Sequence, residues 1–189
     1  GMNEPKTAVG KLLEIGREVL AGWLGAAAFE VRPVVARLRE ILLGSVRLFA
    51  DETTLPVLDP GRGKTKTGFA WAIARDDRPW GGTEPPAVVF HYAPGRGAEH
   101  ARALLEGYTG ILQCDGYAGY NEVLKRPGMA EAGCWAHARR QFFDVAQATG
   151  SPIARGALIE IGKLYEIERE VKDLGAEDRA AERRRRAAP

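Results

Sequence analysis

Two short apolar runs, far apart along the chain, each deliver an aspartate. The run Val46-Arg-Leu-Phe-Ala-Asp-Glu-Thr53 reads as a strand that carries Asp51 out at its end, with Glu52 beside it. The run Gly110-Ile-Leu-Gln-Cys-Asp-Gly116 does the same with Asp115. Short apolar segments bounded by turn residues are the pattern of buried strands. A sheet that sets these two strands side by side brings together carboxylates that lie 64 positions (115 − 51) apart. Two carboxylates suffice to anchor Mg²⁺, which keeps several waters and takes few protein ligands. A pair of such ions about 3.5–4 Å apart activates a nucleophile and stabilises the leaving oxygen of a phosphodiester. Asp51 and Asp115 are therefore the candidate catalytic residues and metal ligands.

The remaining elements fit such a sheet. Residues 11–29 carry apolar side chains at helical spacing (Leu12, Leu13, Ile15, Val19, Leu20, Trp23, Leu24), interrupted by Gly16, Gly22 and Gly25. Pro33 suits the first turn of a second helix that runs to about Leu43. Neither helix forms a core alone, and both are expected to pack on the sheet. The first strand spans about residues 46–50, and the chain can stay extended through residues 55–58. Asp59-Pro-Gly-Arg-Gly63 is turn chemistry. Residues 67–74 and 87–92 predict two more strands, separated by a Gly- and Pro-rich loop, in an antiparallel meander. A short helix over residues 98–107 precedes a fourth strand over residues 111–114. A helical turn follows over residues 117–124, then a fifth strand over residues 130–135 with Trp135 and a thiol buried. The spacing next predicts a helix over residues 137–147 with Phe142 and Phe143 in the core. Ser151-Pro152 starts a last helix that runs to about Leu174. From Ala176 onward the charged end, with Arg183 to Arg186, is expected to fray. Three strands, a helix, a strand, a helix and a strand is the order of a ribonuclease H-like α/β fold, a mixed five-stranded sheet with flanking helices. The expected organisation is a helical lead over residues 1–44, a core over 45–150, and a carboxy-terminal helix with a basic tail over 151–189.

Composition narrows the setting. Two cysteines, Cys114 and Cys134, suit a reducing compartment, the cytoplasm, with no disulfide framework, and are expected to be buried thiols rather than a bridge. No apolar run reaches the roughly 18 residues of a membrane span. Residues 20–29 resemble the apolar part of a signal peptide, but Glu4, Glu14 and Glu18 precede them where positive charge belongs. Gly1 before Met2 reads as a cloning remnant. The net charge of +2 does not by itself indicate a nucleic-acid binder.

Four segments then carry a resemblance. Ala50-Asp-Glu-Thr53, Leu112-Gln-Cys-Asp-Gly-Tyr-Ala-Gly-Tyr-Asn121, Gly133-Cys-Trp-Ala-His-Ala-Arg-Arg140 and Leu164-Tyr-Glu-Ile-Glu168 occur in that order. Pro60-Gly-Arg-Gly-Lys-Thr-Lys-Thr-Gly68 and Tyr92-Ala-Pro-Gly-Arg96 extend the pattern. Together they resemble the transposases of the insertion-sequence-66 family, over about residues 17–186. The resemblance implies a ribonuclease H-like core with two Asp and one Glu that bind two Mg²⁺ or Mn²⁺. It implies hydrolysis at transposon ends and attack of the freed 3′-hydroxyl on target DNA, with DNA and a possible homo-oligomer as partners. Asp51 matches the first acid and Asp115 the second. The family's third acid lies in an Asn-Asn-x-x-Glu-Arg-like segment that this sequence lacks, and its helix-turn-helix and zinc-binding parts are missing too. The chain is therefore expected to be inactive or nearly so by itself. Glu160, Glu166 and Glu168 lie on an amphipathic helix and are expected to face solvent rather than replace the missing acid. The alternatives are a catalytically dead remnant that only binds DNA or itself, and a structure-specific nuclease of the same fold.

Basic residues supply candidate DNA contacts. His137, Arg139 and Arg140 are expected to open a helix near the acidic pair, where guanidinium groups meet phosphate in bidentate fashion. Lys64 and Lys66 on a hairpin and Arg96 at a helix start are further phosphate candidates. Gly61-Arg-Gly-Lys-Thr65 is not a phosphate-binding loop, because Leu58 stands where that motif needs glycine. Cys134-Trp-Ala-His137 invites a zinc reading, but a structural zinc site needs four ligands and only Cys114, His91 and His100 remain as soft donors.

Overall fold

The structure, a computed structural model, describes residues 16–187. Two compact units result, one up to Glu40 and one from Ile41 onward. The first holds helix α1 (Arg17–Glu30) and most of α2 (Arg32–Leu43). The predicted first helix covers α1; its opening part, with Leu12, Leu13 and Ile15, lies outside the described residues. Every residue of α1 is exposed, its apolar stripe included. Among the described residues no single helix is long and apolar enough to cross a membrane. Together α1 and α2, bent by 49° at their junction, reach that length and composition.

The second unit is built on a mixed five-stranded sheet: β1 (Arg47–Val57), β2 (Lys66–Arg75), β3 (Ala87–Ala93), β4 (Gly110–Cys114) and β5 (Met129–Gly133). The strand order is β3-β2-β1-β4-β5. The first three strands form the antiparallel meander, and β4 and β5 join β1 in parallel. Around it lie α3 (Ala98–Leu104), α4 (Asn121–Leu124), α5 (Trp135–Thr149), α6 (Pro152–Val171) and α7 (Ala176–Arg186). This is the ribonuclease H-like α/β arrangement, and β1 and β4 are neighbours in it.

Side chains alternate across a strand, and one face of this sheet makes the core. Leu48 and Ala50 on β1, Trp71 and Ile73 on β2, and Leu112 on β4 are buried there with Leu104, Leu105, Tyr108, Tyr120, Val123 and Leu42. Burying an aliphatic or aromatic side chain of this kind contributes roughly 1.5–3 kcal/mol each. Gly110 fixes the register of β4 against β1: a Cβ there would lie 2.6 Å from the Val46 carbonyl oxygen, which accepts from Ile111 N–H at 2.9 Å.

Four features depart from the sequence reading. β1 does not stop near Ala50; pairing with β2 continues from Phe49↔Ala74 to Val57↔Lys66, so Asp51 sits within the strand. β5 ends at Gly133, opposite Cys114, because β4 ends there and offers no further partner. Trp135 therefore begins α5 and is 57% exposed rather than buried, and Cys134 caps that helix. Phe142 and Phe143 are not core residues: they are 38% and 45% exposed, since only Ala146 of α5 is buried. The charged end does not fray. It forms α7, with Glu177 and Asp178 in the first turn and arginines in the last, as the helix dipole favours. Ion pairs Arg183–Glu168 and Arg186–Glu170 tie it to α6. The Ser151 cap is as predicted: its Oγ accepts from Ala154 N–H at 3.3 Å, with Pro152 in the first turn.

Candidate metal centre

The parallel pairing of β1 and β4 runs Arg47↔Ile111, Leu48↔Leu112, Phe49↔Gln113. The next odd step on each strand is Asp51 and Asp115, at the same offset of 64. Residues 49 and 51 point to one face and 48, 50 and 52 to the other. Asp51 thus leaves the core face, and Asp115 follows it one residue past the end of β4. His137 enters from a third element, the first turn of α5. One ligand atom from each of Asp51, Asp115 and His137 lies within 4.8 Å of the others.

Backbone donors orient both carboxylates. Glu52 N–H donates to Asp51 Oδ1 at 2.9 Å, and Tyr117 N–H donates to Asp115 Oδ1 at 2.9 Å. The second is an Asx turn, and Gly116 between its ends takes φ = 82°, a left-handed value that glycine accepts without strain. Small residues opposite leave room. Asp51 pairs with Ala72 and Phe49 with Ala74, and these residues with Ala50, Gln113, Cys114, Cys134 and His137 line a pocket of about 190 Å³. His137 Nδ1 is buried there and has no hydrogen-bond partner. Two hard oxygen donors and a ring nitrogen within 4.8 Å of one another fit a divalent cation.

On the core face directly behind Asp51 lies a second polar network. The Glu52 side chain is 0% exposed. Arg96 Nε donates to Glu52 Oε1 at 2.7 Å and the Tyr120 hydroxyl donates to Oε2 at 2.8 Å. Arg96 also stacks 3.9 Å from the Tyr117 ring and receives that residue's hydroxyl on its backbone carbonyl. Trp71 meets Tyr120 edge to face at 5.9 Å. Burial first, and then the Glu52 carboxylate, hold the Tyr120 phenol far above the ordinary tyrosine range, so it remains a donor. Burial likewise raises the Cys114 thiol.

The other sequence candidates scatter. Arg139 and Arg140 are exposed on α5. Arg140, three positions after His137, shares its side of the helix. Arg139 instead lines a groove with Tyr165, Glu168, Arg169 and Lys172. Lys66 opens β2 opposite Val57, six residues along β1 from Asp51, or about 20 Å at the rise of a strand. Lys64 lies in the turn before it. Arg96 is not a free cation, since it is bound to Glu52. Glu160 pairs with Lys163, Glu166 with Arg169 and Glu168 with Arg183, all away from the cluster. Both cysteines are free thiols. Sequence reasoning placed His137 near the acids but missed it as a donor within 4.8 Å of both, and it missed the Glu52 network; the spacing of Cys134 and His137 was the only local signal.

Comparison with known proteins gives a consistent result. The profile of the family described as "Transposase IS66 family" matches residues 8–189. The uncharacterised protein y4qI of Sinorhizobium fredii (strain NBRC 101917 / NGR234) is 41% identical over 183 residues, 93% of this chain and 34% of that protein. The uncharacterised protein y4jD of the same strain is 40% identical over 183 residues, covering 94% and 36%. A third, y4hP, is 35% identical over 193 residues, covering 94% and 35%. The chain spans about a third of the length of these relatives.

Proposed function

The chain belongs to the IS66 family of transposases, and from that membership we propose that residues 45–150 are part of a DNA transposase catalytic domain in which Asp51 and Asp115 anchor a divalent cation. The family carries a transposase-type function, DNA as the substrate and a divalent metal as the cofactor. The observation that supports the finer reading is the parallel β1–β4 register, which aligns two carboxylates 64 positions apart beside a pocket. A bound Mg²⁺ or Mn²⁺ supplies Lewis-acid stabilisation and an activated water for phosphodiester hydrolysis and strand transfer. The chain's own contribution is orientation. Glu52 N–H and Tyr117 N–H each hold one carboxylate oxygen, so the other is left for the site. Arg140 extends the same helix face toward a DNA phosphate, and Arg139, Lys64 and Lys66 are outlying backbone contacts. Arg96 serves instead to neutralise Glu52. The described parts of residues 1–44 and 151–189 are helical.

By itself this chain turns over slowly or not at all. Among the described residues no glutamate joins Asp51 and Asp115, and Glu160, Glu166 and Glu168 are engaged elsewhere. The same observation favours a second reading, a DNA-binding or self-association module without catalysis. Purified chain with Mn²⁺ and labelled transposon-end DNA separates the two. Weak cleavage abolished by Asp51→Asn supports the catalytic reading; binding without cleavage, indifferent to Asp51→Asn, supports the second. Robust turnover overturns the expectation of near-inactivity. Competition with random DNA tests end recognition.

A further inference from the structure

We propose that His137 is the third protein ligand of the cation, so that the centre binds a first-row transition ion such as Mn²⁺ or Co²⁺ more tightly than Mg²⁺. The inference rests on the metal-site reading of Asp51 and Asp115. His137 comes from a different element than either aspartate, yet its ligand atom converges on both within 4.8 Å. It makes no ion pair with either carboxylate among the described residues. Donors around one ion with bonds of about 2.1 Å stand roughly 3–4 Å apart. The three groups are gathered to within 4.8 Å, slightly wider than that spacing, so a bound ion draws them in. The buried Nδ1 has no partner, which no ordinary structural histidine tolerates cheaply. The pocket wall beside it is made of Ala72, Ala74 and Cys134, which supply no competing charge.

The chemistry of this donor set differs from that of an all-carboxylate site. Mg²⁺ prefers oxygen in a near-ideal octahedron and gains little from imidazole. Imidazole nitrogen suits transition ions, whose affinity for mixed nitrogen and oxygen sites rises along the row. A nitrogen ligand also gives the chain, through its own residues, a third anchor where no third acid joins the pair among the described residues.

The test is Mn²⁺ binding to the full chain, followed by electron paramagnetic resonance, with Mg²⁺ in competition. Bound Mn²⁺ is expected to show a ¹⁴N coupling. His137→Gln removes the coupling and lowers Mn²⁺ affinity about tenfold, while Mg²⁺ affinity changes less than about threefold. Mn²⁺ that binds in an Asp51- and Asp115-dependent way with no ¹⁴N coupling overturns the imidazole ligand and leaves the metal site standing. A coupling that persists in His137→Gln overturns it too, since another imidazole is then the source. Mn²⁺ binding indifferent to Asp51→Asn removes the metal-site reading itself. Should His137→Gln fail to fold, the ¹⁴N coupling of the unaltered chain and the visible spectrum of its Co²⁺ form decide the matter.

Discussion

Tyr120 donates its hydroxyl to Glu52 across 68 positions of sequence, at 2.8 Å, on the side of β1 opposite Asp51. Adjacent residues of one strand therefore face two different polar sites: Asp51 is exposed, and the Glu52 carboxylate is buried beneath Arg96. Glu52 holds β1 to Arg96, at the end of β3, and to Tyr120, in the turn after Asp115.

Removing one partner strands a buried carboxylate. Tyr120→Phe is expected to cost about 1.5–3 kcal/mol, the worth of a hydrogen bond to a charged group. Arg96→Met is expected to cost about 1.5–3 kcal/mol, less than a fully buried pair, because Arg96 is 45% exposed and solvent screens it. Glu52→Leu combined with Arg96→Met recovers most of that loss. Urea unfolding of the four proteins measures it. Losses under about 0.5 kcal/mol in both single variants would mean that water reaches Glu52.

The site at Asp51 behaves in the opposite way. Two carboxylates within 4.8 Å of each other repel by about 1 kcal/mol even at the dielectric constant of water. Without metal, Asp51→Asn is therefore expected to leave the melting temperature unchanged or to raise it. With saturating Mn²⁺ the order reverses, because a ligand that binds only the folded state stabilises it by RT ln(1 + [L]/Kd). Thermal unfolding with and without Mn²⁺ reads both signs. A variant that melts lower without metal gives Asp51 a structural role instead.

The order of elements was legible because turn chemistry punctuates it: Asp59-Pro-Gly-Arg-Gly63, Pro94-Gly95 and Ser151-Pro152 separate runs of different period. The meeting of Asp51 and Asp115 followed from that order alone. What failed depended on partners remote in sequence. Trp135 continues an apolar run, yet β5 stops at Gly133 because β4 has nothing left to pair with it. Apolar spacing in α5 showed where Phe142 and Phe143 lie but not whether anything covers them. Glu52 read as a companion of Asp51, and only the pleat reveals that it points the other way.

Alkali should unfold the protein in a defined window. Burial pushes the Tyr108 phenol up to about 12 from its ordinary 10.0, and Tyr120 is raised further. A group whose pKa is raised by folding contributes stability that is complete below the unfolded value and is lost as pH rises through the folded value. Stability is thus expected to hold to about pH 10 and to fall from there to about pH 12. Tyrosinate absorbance from these two residues should appear together with unfolding and not before it. Tyr108→Phe should make the decline shallower. Early titration of all five tyrosines in the folded protein would contradict this.

Acid and salt should release α7. Arg183 donates to both oxygens of Glu168 at 2.6 Å, and this hydrogen bonding first, then the Arg183 charge, lowers the Glu168 pKa below its ordinary 4.5. Glu170 is lowered in the same way by Arg186. A carboxylate lowered by folding contributes stability that is present above its unfolded value and disappears as pH falls through the lower folded value. The latch is therefore complete above about pH 4.5 and opens below it. Both pairs are solvent-exposed, so each is weak and screened by salt. Hydrogen exchange in residues 176–186 is expected to accelerate at pH 3, in 1 M NaCl and in Glu168→Gln, while β1 and β4 stay protected. Equal acceleration in the sheet would show that α7 is no separate latch but part of the same cooperative unit.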